Sequence, residues 1–551
     1  MSDKITVFVA KKIITMNPSN PEGTAVAVRD GRILGVGVLK ELDGWGPYQL
    51  DDTFQDNVLV PGFIEAHGHI GEGGLWASAP YIGYYDRTAP DGTHVSGAKS
   101  VAAVIERLKE LDAQMDDPDA PLLAWGFDPI YFPKGTRFYA AELDQVSTSR
   151  PIFLVHMSGH VATVNSALMQ KEGITADLDI EGLVKGDDGQ PLGELQTHAV
   201  MALARGAFVK LLSNVRSAKA IENFGKLASR AGHTTVTELG TVPVHDGEQF
   251  AMWHRLVDDP DYPVRVVPYF GPGSFGAPVD PAEVISIVRA GQAQDTDKLR
   301  IGGIKIWIDG SIQGFTARIL WPEYYNGIEN GLWYLPPEKL KEFVKAYHRE
   351  GLNCHIHTNG SQATELLIDA VDEALREYAW LDHRHTAQHV QLSTAAQLRR
   401  MRNLGMCANF FVNHVYYYGD QHYELILGPD RANQIDPCGA AKREGVSFSF
   451  HSDSPVSPIG HLHTMWCAVN RLTPKGRVLG EHEKISAYDA LYAATVDAAY
   501  QIHMDHEIGS IEIGKRADFA VLDESPLDVE PMEIKDIPVW GTLLGGVKFP
   551  G

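Results

Sequence analysis

The chain has 551 residues, 44% of them hydrophobic and 22% charged, with 53 Gly and 31 Pro, a composition that excludes disorder and leaves ample core for folding without disulfides or a structural metal. Asp and Glu number 71 against 48 Lys and Arg, and the resulting formal charge of −23 argues against an electrostatically held nucleic acid. Cys354, Cys407, Cys438 and Cys467 have no short spacing, so neither a zinc ribbon nor a disulfide framework is indicated. The N-terminal apolar run stops too soon for a signal-peptide core, and no apolar window is long enough to span a membrane. The expectation is a cytoplasmic protein acting on a small molecule, with no nucleic-acid or membrane partner; the sequence leaves homodimerisation open.

The first 60 residues alternate short β-rich runs with turns. Strands are predicted at Ile5–Val9, Lys12–Met16, Ala25–Val28 and Arg32–Val36, with Asp30-Gly31 as a hairpin turn. Similar runs return near the C-terminus, at Gly509–Ile511, Asp518–Leu522 and Val539–Leu544, the last followed by Gly545-Gly546. Residues 1–60 and 484–551 are therefore expected to form one small β-sandwich from both termini.

Between them, residues 61–483 alternate strand-like and helical patterns. Eight strands are predicted: Val58–His67, Thr234–Leu239, Val264–Phe270, Ile301–Ile308, Leu352–His357, His385–Val390, Cys407–Val412 and Val446–Ser452. Helices are predicted at Ser361–Tyr378, Leu392–Leu404 and Tyr488–Ile502 from apolar i, i+3, i+4 spacing. This alternation points to an α/β fold, a distorted (β/α)8 TIM barrel. An insertion over about 71–233 follows the first strand and is expected to lie over the barrel's C-terminal face.

His67 and His69 end the first strand at spacing two, so both imidazoles leave one face of it. Lys305 lies in the fourth strand, His355 and His357 end the fifth, His389 ends the sixth and Asp453 follows the eighth. Each has an ordinary structural explanation taken singly: Lys305 as an ion-pair partner, His389 as a hydrogen-bonded core residue, Asp453 as a helix cap. Their joint appearance at strand ends makes a metal site the better reading.

Pro61-Gly-Phe-Ile-Glu-Ala-His-Gly-His69 resembles the signature of the amidohydrolase superfamily. Gly303–Ser311, His357–Gly360, Asn413–Asp420, Ser452–Val456, Ala468–Arg471 and Gly509–Asp518 are similar to its YtcJ-like branch, amidohydrolase family 3, which includes N-substituted formamide deformylase. The resemblance implies a binuclear centre with two divalent ions, zinc by preference. His67, His69 and Asp453 would hold one, His357 and His389 the other, with carboxylated Lys305 bridging. It further implies hydrolysis of an amide, formamide or cyclic amide by metal-activated hydroxide, with Asp453 as the catalytic proton carrier. Ester or lactone hydrolysis, deamination and isomerisation use the same site, and a non-enzymatic metal-binding or regulatory role on the same scaffold is the remaining alternative.

Three departures from the family's pattern bear on substrate. Asn359-Gly360-Ser361 stands where relatives often have Gly-Asp, Gln388 where many have Glu, and Ile459-Gly-His-Leu-His463 where Asp-Pro is usual. Aromatic residues cluster after the first and seventh strands, which would suit an apolar or aromatic substrate body. Trp76, Tyr417, His160 and His414 are the candidates for touching it. Packing of the insertion is the competing explanation for most of these rings.

Overall fold

The computed structural model describes residues 4–132, 138–159, 161–240, 242–274 and 277–551. Contacts group them into two compact units, Ile70–Leu227 and the remainder of the chain.

In the larger unit both termini enter one seven-stranded sheet. Ile5–Ile14 pairs antiparallel with Glu22–Arg29 and parallel with Tyr48–Pro61, which pairs in turn with Phe519–Leu522. The two runs expected before Met16 are one strand, with irregular register between Val9 and Ile13. Asp30 and Gly31 both have positive φ, 52° and 74°, as the turn between paired Arg29 and Arg32 requires. Gly545 and Gly546, at 57° and 77°, do the same between Leu544 and Val547. Gly509–Ile511 forms no strand; instead the Ile511 amide donates to the Thr15 carbonyl at 2.8 Å.

The barrel is an eight-stranded parallel sheet. Its strands are β1 (Phe63–Gly68), β2 (His233–Leu239), β3 (Arg265–Phe270), β4 (Gly303–Trp307), β5 (Asn353–Thr358), β6 (Thr386–His389), β7 (Cys407–Phe410) and β8 (Phe448–Phe450). They hydrogen-bond in this order from β1 to β8. The main difference from the sequence reading is at Val58–His67, which is two strands. Val58–Pro61 belongs to the terminal sheet, and the chain passes through Gly62 into β1. A Cβ on Gly62 would stand 2.1 Å from Thr234 Oγ1, so the crossing needs glycine.

Two of the three predicted helices keep their type with small boundary changes, Ser361–Glu377 and Ala395–Leu404. The second starts late because Thr394 Oγ1 caps it, accepting from the Gln397 amide at 3.2 Å. The predicted Tyr488–Ile502 helix is broken by a wide π-helical turn at Ala493–Asp497. No helix among the described residues is long and apolar enough to cross a membrane.

The smaller unit has its own five-stranded sheet, ordered 183–185, 191–196, 161–164, 152–156, 122–127. Along its two parallel strands Leu123, Trp125, Phe153 and Val155 enter one apolar cluster, while Leu122, Ala124, Ile152 and Leu154 enter the other. Period-two alternation with both faces buried explains why these strands read as unbroken apolar runs. A buried Arg87–Glu72 pair at 3.2 Å lies against the Trp125 and Tyr81 rings.

In the larger unit, Glu507 joins the approach to β4 to the C-terminal segment. Its carboxylate accepts from Arg300 at 2.7 Å and Arg516 at 2.6 Å. Burial alone would raise its pKa, but the two guanidinium groups outweigh that and hold it at about 2. A depressed acid stabilises the fold above its ordinary value of 4.5, and that contribution fades as pH falls toward 2. Glu507→Gln should therefore cost about 1.5–3 kcal/mol at pH 7 in urea unfolding, with mutant and wild type converging as pH drops below 4.5.

Candidate metal centre

The barrel brings the expected residues together. Asp453 Oδ1 lies 3.4 Å from both His67 Nε2 and His69 Nε2. These three side chains offer ligand atoms within 4.8 Å of one another. Lys305 Nζ is 3.2 Å from His67 Nε2, and His357 Nδ1 is 3.0 Å from His389 Nε2. Parallel register sets Lys305 beside His355 and Trp307 beside His357, so side chains from β4 and β5 enter at matched heights. His389 and Asp453 both have positive φ, 68° and 51°, a cost that non-glycine residues sustain mainly where function requires the geometry.

Hydrogen bonds settle which nitrogens face inward. Asn409 donates Nδ2–H to the Ala66 carbonyl at 3.0 Å and to Gln388 Oε1 at 2.9 Å, which fixes both amides. Gln388 Oε1 can only accept, so His67 donates from Nδ1 at 2.8 Å and keeps a lone pair on Nε2. Asn409 Oδ1 likewise accepts from His451 Nδ1 at 2.9 Å. His451 Nε2 must then accept from His389 Nδ1 at 3.0 Å, which leaves the lone pair of His389 on Nε2. Burial, first among several causes, pushes His67, His389 and His451 well below their ordinary pKa, so all three are neutral.

Between His389 Nε2 and His357 Nδ1 one proton is required unless a cation is present. His357 Nε2 has the Gly310 carbonyl at 3.2 Å and the Asn359 amide nitrogen at 3.1 Å, so either tautomer of His357 finds a partner there. The donor set thus fits a metal: His67 and His389, both neutral, keep lone pairs on Nε2, and the Asp453 carboxylate lies 3.4 Å from that of His67.

His451 was not singled out from the sequence, although its spacing of two from Asp453 repeats that of His67 and His69. Proximity alone would group it with His67 and His389 as a ligand. Both its nitrogens are engaged, however, so it orients His389 and stacks on His67 at 4.7 Å between centroids. Glu238 at the end of β2, 3.7 Å from His69 Nδ1, was also missed. Gln388, marked only as a departure, lies between His67 and His355, to which it donates at 2.8 Å.

The charges are strongly coupled. Burial lowers Lys305 to about 7 despite Asp453 and Glu238, so much of the amine is neutral near neutral pH. Burial lowers His69 too, but hydrogen bonds and charge from Asp453 and Glu238 hold it at about 9. Asp453 is raised by burial and lowered more by His69, His451 and Lys305, to about 2. Asp309, four residues beyond Lys305, is held by the backbone amides of Asn359, Gly360 and Arg318 at 2.9–3.0 Å. Burial still raises it to about 7.

Of the expected substrate contacts, His414 is buried after β7, with Nδ1 3.4 Å from Asp436 Oδ1 and its ring 4.2 Å from Phe411. Tyr417 is buried against Tyr416 and His463 at 5.3 and 5.6 Å. Trp76, in the smaller unit, donates to Glu72 at 3.1 Å and packs on Trp125 at 5.3 Å. It also borders a cleft of about 580 Å³ within that unit. His160 lies outside the described residues.

A parallel β-barrel with imidazole, amine and carboxylate groups gathered at its strand ends defines the class of metal-dependent hydrolases. The profile of the Amidohydrolase family matches residues 55–548, and the chain belongs to that family. It is 27% identical to Protein LONG AFTER FAR-RED 3 of Arabidopsis thaliana, over 98% of this chain and 90% of that one. It is 24% identical to the N-substituted formamide deformylase of Arthrobacter pascens, over 98% and 97%. The fold is similar to that of an uncharacterized metal-dependent hydrolase from Pyrococcus horikoshii OT3, with TM-score 0.71, 19% identity and coverage of 96% and 99%.

Gln388→Leu should remove the acceptor that sets the His67 tautomer without touching a proposed ligand. Competition with a chelator should show metal affinity about 10–100-fold weaker, with the folded far-ultraviolet spectrum retained.

Proposed function

We propose that this amidohydrolase cleaves the C–N bond of an amide, formamide or cyclic amide with a small apolar or aromatic body. Lys305 carries the reading: a wholly buried amine, held at about 7, 3.2 Å from His67 Nε2. A neutral amine adds CO2 and loses a proton to become a carbamate, an anionic ligand with two oxygens. The name of the Arthrobacter pascens relative supports C–N as the bond. The rings of Tyr416 and Tyr417, beyond β7, and of Trp466, in the helix beyond β8, support an apolar substrate body.

His67, His69 and Asp453 would hold one divalent ion, and His357 and His389 a second, with the Lys305 carbamate shared. Zinc suits this nitrogen and oxygen set. Ions bound there would polarise the scissile carbonyl and bring the pKa of bound water near neutrality. The protein's own part is to keep His67 and His389 neutral and oriented, through Gln388, Asn409 and His451, and to keep Asp453 ionised. Asp453 can accept the proton of the attacking water and return it to the departing nitrogen. His414, whose Nδ1 lies 3.4 Å from Asp436 Oδ1, would donate to substrate from Nε2.

Product analysis of zinc-loaded enzyme across a panel of amides, formamides, carboxylic esters and amino-heterocycles tests the reaction. A carboxylic acid with a primary amine is expected. Ammonia alone would establish a deaminase, acid without amine an esterase, and no turnover of any class would overturn the enzymatic reading.

Lys305→Ala should lose most activity and recover part of it with added short carboxylic acids, which can stand in for the carbamate. Absence of rescue at any acid concentration would assign Lys305 a purely cationic role.

Asp453→Asn should lower turnover by about 10²–10⁴-fold on an alkyl amide, because the proton shuttle is lost and an amine leaves poorly unprotonated. An activated anilide should suffer less. Equal losses on both substrates would make Asp453 a ligand alone.

A further inference from the structure

Two residues before His67, on the same face of β1, Glu65 belongs to a second cluster that the proposed reaction does not use. Glu65, His233 at the start of β2, and His461 at the start of the helix His461–Asn470 are almost wholly buried. Each offers a ligand atom within 4.8 Å of those of the other two. Glu65 Oε2 lies 3.8 Å from His233 Nε2, and the two imidazole centroids are 4.6 Å apart.

The hydrogen bonds here are incomplete in a particular way. His461 donates Nε2–H to the Ile64 carbonyl at 2.7 Å, which leaves a lone pair on Nδ1. That Nδ1 has no hydrogen-bond partner, and His233 Nε2, the ring nitrogen 3.8 Å from Glu65 Oε2, makes no hydrogen bond. An unsatisfied buried polar atom is destabilising, and two imidazoles that each keep one in a cluster with the same carboxylate are unusual. Glu65 itself is fixed: Ser452 donates to it from the backbone amide at 2.9 Å and from Oγ at 2.7 Å. Carboxylate ligands are commonly oriented by such bonds. Ligand atoms held at about 2.0–2.2 Å by a tetrahedral ion stand ~3.4 Å apart; Glu65 Oε2 and His233 Nε2 stand 3.8 Å apart, with all three donor atoms inside 4.8 Å.

We propose that Glu65, His233 and His461 bind a transition-metal ion, zinc by preference, at a structural site distinct from the centre at His67, His69 and Asp453. The donor set of two imidazoles and one carboxylate matches zinc chemistry. Its location gives it work to do. β1 and β8 are the two ends of the sheet order and share no strand ladder. The ion would tie β1 and β2 to the helix that follows β8, closing the barrel at that seam. With no side chain of the site exposed, it would be filled during folding and exchange slowly.

The test is an anomalous difference map from crystals of the zinc-loaded protein, recorded above and below the zinc edge, together with elemental analysis. A separate peak bonded to Glu65, His233 and His461 is expected. His461→Ala should lose one metal equivalent per chain and retain the peak at His67, His69 and Asp453. A water or empty density at the first position in crystals whose His67 centre is filled would overturn the proposal. An unchanged metal count in folded His461→Ala would do the same. Should His461→Ala not fold, the wild-type map decides alone. Failure of the His67 centre to bind would be read at a different peak.

Discussion

The neutral, oriented state of the imidazoles depends on one hydrogen-bonded chain running through the barrel floor. It passes from the Ala66 carbonyl to Asn409, then on one side to Gln388 and His67 and on the other to His451 and His389. Asn409 anchors both arms, because the Ala66 carbonyl can only accept and so decides which end of the amide faces which way. Each later proton position follows from the one before it. The result is two lone pairs, on His67 Nε2 and His389 Nε2, aimed at the place where the ligands converge. Desolvation reinforces the chain by keeping these rings uncharged.

The same burial acts in opposite directions on the charged groups. It weakens the ammonium form of Lys305, while Asp453 stays ionised against burial chiefly through its hydrogen bond with, and the charge of, His69. A proton on His69 neutralises part of this charge, and a divalent cation would do so more fully. Burial is therefore unfavourable for a permanently charged lysine, while the Asp453 and Glu238 carboxylates oppose it by drawing positive charge to the same place.

Parallel pairing makes this possible. All eight strands run the same way, so their C-terminal ends lie together and residues far apart in sequence share a few ångströms. The terminal sheet adds a constraint from below. Its strand Tyr48–Pro61 leads directly through Gly62 into β1, and the Gly62 amide donates to Asp518 from the other end of the chain. The first ligand-bearing strand is thus held by both termini before it reaches His67.

Much of this was legible in the residues alone. Period-two spacing of His67 and His69, strand-end placement of Lys305, His357, His389 and Asp453, and hairpin turns at Asp30-Gly31 and Gly545-Gly546 are local properties. Local sequence expresses them directly, through side-chain alternation and the need for positive φ. It could not divide Val58–His67 into two strands, because both halves are apolar and only pairing partners distinguish them. Nor could it assign Gln388 and His451 their parts, since a tautomer is decided by whichever acceptor lies across the barrel. The types of residue at the candidate centre were written in the sequence; their protonation states, and the buried grouping of Glu65 with His233 and His461, came from tertiary packing, because desolvation and hydrogen-bond direction exist only once distant strands meet.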